Sequence, residues 1–323
     1  SNAGGLGVLG AGFMSGAEIE QAVARVRSLT DKPFAVGVRI PVQGSSSSLE
    51  RAKKMAHALE DLALELGLEE HYAWAKMPDF DEQFEAFVSL DVPVLITSFG
   101  GLREIYAEKL ERLDVKVLSA ATTLREAKVL RAADASGIIV QGVEAAGPRL
   151  NFEQPDSASQ VGLLSLIGPA ARATGLAVVA AGGIASGAQW AAAMAAGASG
   201  VMLGTAFVRA HESAAAQAFK DQLPYTTDAA TRFVRTFEGR LSHVAANGLV
   251  EALEEAGIVP GDYPEQCEMM RPILLAAQKA GRADLMQLAA GQGAPLATAA
   301  PAASIVQRLE SELDELLGES PFA

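Results

Sequence analysis

The sequence predicts an α/β fold in which parallel β-strands alternate with α-helices, and three observations support this prediction. Short β-branched segments recur along the first two-thirds of the chain, and longer segments with helical periodicity separate them. The short segments are almost continuously apolar, which is typical of strands that are buried on both faces of a parallel sheet. Half of the residues are hydrophobic but only 6% are aromatic, as expected for helices rich in Ala, Val and Leu around such a sheet.

The strands of this sheet are predicted from seven segments. In chain order they are Leu6–Gly10, Phe34–Ile40, Val92–Ser98, Val115–Ala120, Ile138–Gln141, Ala177–Ala181 and Gly200–Gly204. This number fits an open doubly wound sheet, and it is one strand short of a closed (β/α)8 barrel. Helix starts are predicted by a capping box at Ser15–Glu18, by Thr122 or Thr123, and by Ser186.

The pattern changes after Phe207. Residues 1–207 carry the strand–helix alternation, whereas residues 208–293 are predicted to form a helical subdomain over the mouth of the sheet, without strands. Residues 294–323 are predicted to form an Ala/Pro-rich linker followed by an amphipathic helix over Ser304–Leu317, with Ile305, Leu309, Leu313 and Leu316 on one side.

Charge and cysteine content exclude several classes of function. The chain has 26 Lys and Arg against 39 Asp and Glu, a net charge of −13, which disfavours nucleic acids and anionic membranes as partners. Its single cysteine, Cys267, excludes an intrachain disulfide and a metal site built from cysteines, so we expect no metal. No membrane-spanning run or export leader is recognised, and we expect a cytoplasmic location.

Two glycine-bearing strand ends in successive units predict a phosphate site. Gly182 and Gly183 follow one strand and precede a helix, and the segment Met202, Leu203, Gly204 and Thr205 ends the next strand. Glycines let backbone N–H groups approach an anion, and barrel enzymes often bind phosphate at the loops after their last two strands. The alternative is that both segments are tight turns that need glycine for packing.

A polar residue, Gln141, stands at the carboxyl end of a buried strand. Burying its carboxamide is costly unless it finds hydrogen-bond partners. It would either bond the edge of a bound ring or cap a neighbouring backbone group, and the residues alone leave both interpretations open.

Six motifs resemble those of the nitronate monooxygenases, also called 2-nitropropane dioxygenases, and of the related flavin-dependent enoyl-ACP reductases. In order they are Gly4–Gly12, Val92–Gly100, Gln141–Ala145, Ala180–Ile184, Leu203–Phe207 and Ala290–Gly293. The resemblance implies FMN as cofactor and a (β/α)8 barrel whose first strand would precede Ser1. By position, Gln141 would contact the flavin ring, and Ala146, Gly182, Gly183 and residues 202–205 would bind the rest of the cofactor.

The chain departs from the family pattern where the family carries its catalytic histidine. The motif continues Ala146-Gly147-Pro148, and proline cannot accept the acidic proton next to a nitro group. Gly37 replaces a flavin-contacting Asn, and Met202 replaces a Gln. The catalytic residue is therefore unknown; His243 is a weak candidate for a substitute base, and Glu144 is more readily explained as a structural carboxylate.

The leading functional hypothesis is an FMN-dependent oxidoreductase that oxidises nitronates or a related small substrate with O2. An NAD(P)H-dependent enoyl-thioester reductase is a second hypothesis, and a catalytically silent flavin- or phosphate-binding barrel is a third. A homodimer is compatible with all three.

Overall fold

The computed structural model describes residues 1–318, apart from the side chain of Asp228. The strands of this part of the chain are β1 (Gly7–Gly10), β2 (Phe34–Arg39), β3 (Val94–Ser98), β4 (Lys116–Ala121), β5 (Gly137–Gln141), β6 (Gly147–Pro148), β7 (Ala177–Ala181), β8 (Gly200–Met202), β9 (Thr231–Val234) and β10 (Ser242–Ala245).

The α-helices of the same part lie mainly between these strands. They are α1 (Gly16–Leu29), α2 (Ser46–Ala58), α3 (Glu60–Glu65), α4 (Phe80–Ser89), α5 (Glu104–Arg112), α6 (Leu124–Ala132), α7 (Leu163–Thr174), α8 (Gly187–Ala195), α9 (Gln217–Gln222), α10 (Gly248–Glu255), α11 (Glu265–Lys279) and α12 (Ala302–Gly318).

Seven parallel strands form one curled sheet in the order β1-β2-β3-β4-β5-β7-β8, which confirms the predicted barrel class. The predicted segments match these strands closely: β7 has the predicted bounds, whereas β8 ends at Met202 rather than at Gly204. Strands β1 and β8 stand at the two ends of the sheet. The expected eighth strand has no counterpart among residues 1–318.

Local capping explains where the helices of the barrel begin. The Oγ of Ser15 accepts a hydrogen bond from the Glu18 N–H at 3.4 Å, and the Glu18 carboxylate accepts from the Ser15 N–H at 2.7 Å, which completes the predicted capping box. Thr123 caps α6 and Ser186 caps α8 through their side-chain oxygens. These contacts satisfy N–H groups that no helical carbonyl can reach.

The two faces of the curled sheet are buried in different environments. Ala35, Ile96, Ala120 and Ile139 pack together on the inner face, while their neighbours along each strand pack against the surrounding helices. The alternation follows from the two-residue period of a strand. Because a strand's next inward-facing side chain lies two residues on, Gln141 shares the inner face with Ile139.

The prediction of an all-helical segment at 208–293 was wrong, because this segment contains β9 and β10. These strands form a small antiparallel sheet with β6, in the order β6-β10-β9. Each has only four residues, too few to show a clear alternation in the sequence. The segment shares a core with α2, whose Ala52 and Met55 are buried against it.

The C-terminal helix α12 packs on α8 and contains the predicted segment. Ile305 and Leu309 are buried, as the periodicity predicts, whereas Leu313 is half-buried and Leu316 is exposed, so only the first part of the predicted apolar side is covered. Residues 319–323, at the end of the predicted C-terminal segment, lie outside the described residues. Within residues 1–318, no helix is long and apolar enough to cross a membrane.

Candidate functional site

A cavity of about 230 Å³ opens at the carboxyl ends of the central barrel strands. This is the end at which barrel enzymes place their active sites. The cavity is lined by Ile96, Ser98, Ala120, Ile139, Gln141, Ala145, Ala146, Leu150, Ala181, Gly182, Gly183, Ile184, Ala185, Met202, Leu203, Gly204, Thr205 and Gly293. The structure thus brings all eight residues expected to bind the cofactor to one cavity, although the sequence spreads them from 141 to 205.

Backbone groups of two strand ends form one side of the cavity. Gly182 and Gly183 follow β7 with φ angles of 140° and 66°, conformations that side chains strain. A Cβ atom on Gly183 would lie 3.1 Å from the Cβ of Glu144, whereas one on Gly204 would meet no protein atom within 4 Å. Within residues 1–318, the N–H groups of Gly183 and Gly204 have no protein acceptor. Two free N–H groups on a glycine-lined surface fit an anion such as a phosphate.

The late glycine motif lies against these two strand ends. The N–H of Gly291 donates to the Oγ1 of Thr205 at 3.3 Å, and the N–H of Gln292 donates to the carbonyl of Glu144 at 3.0 Å. A Cβ atom on Gly293 would lie only 2.2 Å from the Gly183 carbonyl oxygen, so glycine is required for this approach. The motif therefore closes the glycine-lined side of the cavity.

The cavity is also lined by Gln141, which ends β5 opposite Ala181 of β7 and whose carboxamide lies in a network of hydrogen bonds. The Oε1 atom accepts from Nη1 of Arg149 at 3.1 Å and from the Leu150 N–H at 3.0 Å. The Nε2 group donates to the Pro148 carbonyl at 3.0 Å. The sequence predicted Gln141 but gave no signal for Arg149, whose role depends on carbonyl groups that only the folded loop brings together.

Arg149 is fully buried and holds the loop that follows β5. Its Nη1 donates to the carbonyls of Gln141 at 3.2 Å and Gly142 at 2.6 Å, and its Nη2 donates to the Ser159 carbonyl. Burial lowers the pKa of the guanidinium to about 10, against the opposing effect of Glu126, Glu144 and Asp156. The side chain therefore stays positively charged at neutral pH.

Neither candidate position for a catalytic base contributes a base to the cavity. Pro148 pairs with Ser242 in the small sheet, and its carbonyl accepts a hydrogen bond from the side-chain Nε2 of Gln141. His243 does not line the cavity: its Nδ1 lies 3.2 Å from the Ala145 carbonyl, its Nε2 lies 2.8 Å from the Thr231 Oγ1, and its ring stacks on Phe233. Burial lowers the pKa of His243, which favours a neutral, structural imidazole. The geometry does not support the weak expectation that His243 is a substitute base.

The cavity lining within residues 1–318 contains no titratable side chain; its polar side chains are Ser98, Gln141 and Thr205. Glu144 lies just outside the lining, where its carboxylate accepts the Leu163 N–H at 3.0 and 3.1 Å at the start of α7. This contact gives Glu144 a structural role. The cavity can thus bind and orient a ligand, but it offers no obvious proton acceptor.

A second cavity of about 320 Å³ lies between the barrel and residues 208–293. It is lined by Phe13, Ala216, Phe237, Glu238, Cys267, Arg271, Leu274, Leu275, Gln278, Met286 and Gln287. Burial raises the pKa of the Cys267 thiol to about 12, so this cysteine is a poor nucleophile at neutral pH. None of the predicted cofactor residues lies here.

The profile of one protein family, described as nitronate monooxygenase, matches residues 1–312. The chain belongs to the nitronate monooxygenase family. This membership confirms the resemblance that the sequence motifs carry, and it assigns the chain to a family of oxidoreductases.

Individual relatives agree with the family assignment. A probable nitronate monooxygenase of Staphylococcus aureus is 31% identical over 320 residues, which cover 98% of this chain and 90% of that protein. A nitroalkane oxidase from Streptomyces ansochromogenes has a similar structure, with a TM-score of 0.90, 35% identity and coverage of 98% of this chain and 90% of that one. FabK from Thermotoga maritima shares the fold, with a TM-score of 0.74 at 24% identity over 99% of this chain and 88% of that one.

Proposed function

We propose that this protein is an FMN-dependent oxidoreductase that oxidises nitronates, or closely related small anions, with O2. The observation that carries the proposal is the convergence of all eight expected cofactor residues on one cavity at the carboxyl ends of the barrel strands. Membership in the nitronate monooxygenase family and the likeness to a nitroalkane oxidase support it. When bound, FMN would supply the electron transfer from the substrate and the reaction with O2.

The residues of this chain would bind FMN at two separate points. The free N–H groups of Gly183 and Gly204 suit the phosphate, because their glycines leave room for close approach. Gln141 suits a polar edge of the ring, and the apolar side chains of Ile96 and Ile139 exclude water below it.

The chemistry of the lining favours a substrate that has already lost its proton. A neutral nitroalkane must lose a proton from the carbon next to the nitro group before oxidation, and general base catalysis contributes about 10²–10⁴-fold to such steps. Within the described residues, no side chain of the lining can accept that proton. A preformed nitronate needs no base, so we propose nitronates rather than nitroalkanes as substrates.

The experiment that tests this proposal is a titration of ligand-free protein with FMN, followed by flavin absorbance and fluorescence. Gly204→Val adds a side chain to the cavity wall at a position where its Cβ has no protein atom within 4 Å, so the variant should fold and yet lose FMN affinity by roughly tenfold or more. Gly200→Val is the matched control, because Gly200 lies on the same strand, β8, its Cβ position is equally open, and it does not line the cavity. A wild-type protein that binds no FMN, or equal affinities in the two variants, would contradict the proposal.

A further inference from the structure

The hydrogen bonds around Gln141 determine which way its carboxamide faces. A carboxamide oxygen accepts two hydrogen bonds and its NH2 group donates two. Here the oxygen is bonded by two donors, Arg149 and the Leu150 N–H, and one amide hydrogen is bonded to the Pro148 carbonyl. A flipped carboxamide would set its NH2 group against two donors and its oxygen against a carbonyl, losing all three bonds.

Among residues 1–318, this arrangement leaves one hydrogen-bonding group of Gln141 without a protein partner, and it is an amide N–H. The residue is buried and lines the cavity. A ligand atom in the cavity that bonds this remaining N–H would have to be an acceptor.

We propose that Arg149 is a positioning residue that holds Gln141 as a hydrogen-bond donor towards an acceptor atom on the ring edge of the bound flavin. This proposal rests on the proposed function only for the identity of the ligand; the orientation of the carboxamide follows from the protein alone. Arginine suits this role because all its N–H groups donate and none can accept, so it imposes one orientation.

The charge of Arg149 also affects the strength of this donor. A guanidinium bonded to Oε1 draws electron density from the carboxamide, and hydrogen bonds in such a chain strengthen one another. The remaining N–H should bind an electron-rich acceptor more tightly than an electron-poor one. The Arg149–Gln141 pair should therefore stabilise reduced FMN relative to oxidised FMN and raise its reduction potential in the protein.

The first test replaces Gln141 with an acceptor of the same size. Gln141→Glu retains an oxygen for Arg149 and Leu150 but turns the NH2 group, which supplies both the bond to Pro148 and the free N–H, into an oxygen, so FMN affinity should fall by roughly tenfold and the reduction potential should fall with it. Gln266→Glu is the matched control for burying a carboxylate, because Gln266 is also fully buried with both ends of its carboxamide bonded, and it does not line the cavity. Wild-type affinity and potential in Gln141→Glu would overturn the proposal.

The second test needs no ligand and separates this inference from the proposed function. In ligand-free wild-type protein, the Gln141 carboxamide should give two resolved side-chain N–H signals by NMR, one of which exchanges slowly because it is bonded to Pro148. Arg149→Lys keeps a positive charge but not the planar set of donors, and it should weaken that protection. An unprotected Gln141 amide in the wild type would overturn the inference even if FMN binds, whereas a protected amide in a protein that binds no FMN would sustain it and refute only the flavin assignment.

Discussion

The cavity is lined by two kinds of group: the backbone of Gly182, Gly183 and Gly204, here called the backbone end, and the carboxamide of Gln141, held by Arg149, here called the side-chain end. The backbone end depends on the absence of side chains at the glycines. The side-chain end depends on particular functional groups.

We therefore expect the two departures from the family pattern to have different consequences for binding and for the reaction. Met202, which we expect to stand where the family commonly has Gln, lines the cavity, and its apolar side chain packs against the cluster of Ala35, Ile96, Ala120 and Ile139. Pro148, which we expect to stand where the family has its histidine, bonds Gln141 through its carbonyl and has no side-chain group that accepts a proton. The first replacement should preserve binding, while the second should change the reaction.

The largest effect is expected from restoring the base at the side-chain end. Pro148→His keeps the carbonyl that Gln141 bonds and adds a titratable ring, so it should raise turnover of a neutral nitroalkane relative to its nitronate by about 10²-fold, the low end of general base catalysis. Oxygen consumption with both substrates, at matched FMN occupancy, measures this ratio.

His243→Gln is the control for this experiment, because His243 is a native histidine whose ring contacts the Ala145 carbonyl of the same loop and does not line the cavity. It should leave the wild-type ratio unchanged. Rapid oxidation of a neutral nitroalkane by the wild-type protein would show that another group serves as the base.

A smaller effect is expected from adding one methyl group at the backbone end. Gly183→Ala places a Cβ 3.1 Å from that of Glu144 at a φ of 66°, and it should weaken FMN binding by roughly tenfold. Gly175→Ala is the matched control: its φ is 65°, its Cβ position is open, and it ends α7 away from the cavity. Thermal unfolding should show destabilisation in both variants, and FMN titration should show weaker binding in the first alone. Equal FMN affinities would remove Gly183 from the binding surface.

The smallest effect is expected from replacing His243, which contacts the Ala145 carbonyl and does not line the cavity. Because burial lowers the pKa of His243 in the folded protein, the unfolded chain binds a proton more readily at this residue. The stability contributed by neutral His243 is present above about pH 6.5 and is lost as the pH falls below it. His243→Gln should therefore reduce the loss of stability between roughly pH 6.5 and pH 5 in urea unfolding. An unchanged pH dependence would indicate that His243 is not buried in its neutral form.

The same contrast separates what the sequence could predict from what it could not. Strands of the barrel were recognisable because both faces are buried, so that β7 stands out as an uninterrupted apolar segment between glycine turns. The backbone end was recognisable because glycine is the residue that such a surface requires. Arg149 could not be recognised, because its partners are carbonyls at 141, 142 and 159 that meet only in the folded loop.

Strands β9 and β10 could not be predicted from the sequence for a related reason. Each is stabilised by pairing with a distant segment, β10 between β9 and β6, rather than by a pattern within its own four residues. Their pairing places His243 beside Gly147 and so determines the surroundings of the loop that carries Pro148.

We infer that this one cavity binds FMN by its phosphate at the glycines and by its ring at Gln141. A crystal structure of the protein with FMN tests this most directly. We expect phosphate oxygens within hydrogen-bond distance of the N–H groups of Gly183 and Gly204, and an acceptor atom of the ring at the Nε2 of Gln141. FMN bound in the second cavity beside Cys267 and Arg271, or in the reverse orientation with its phosphate at Gln141, would contradict it.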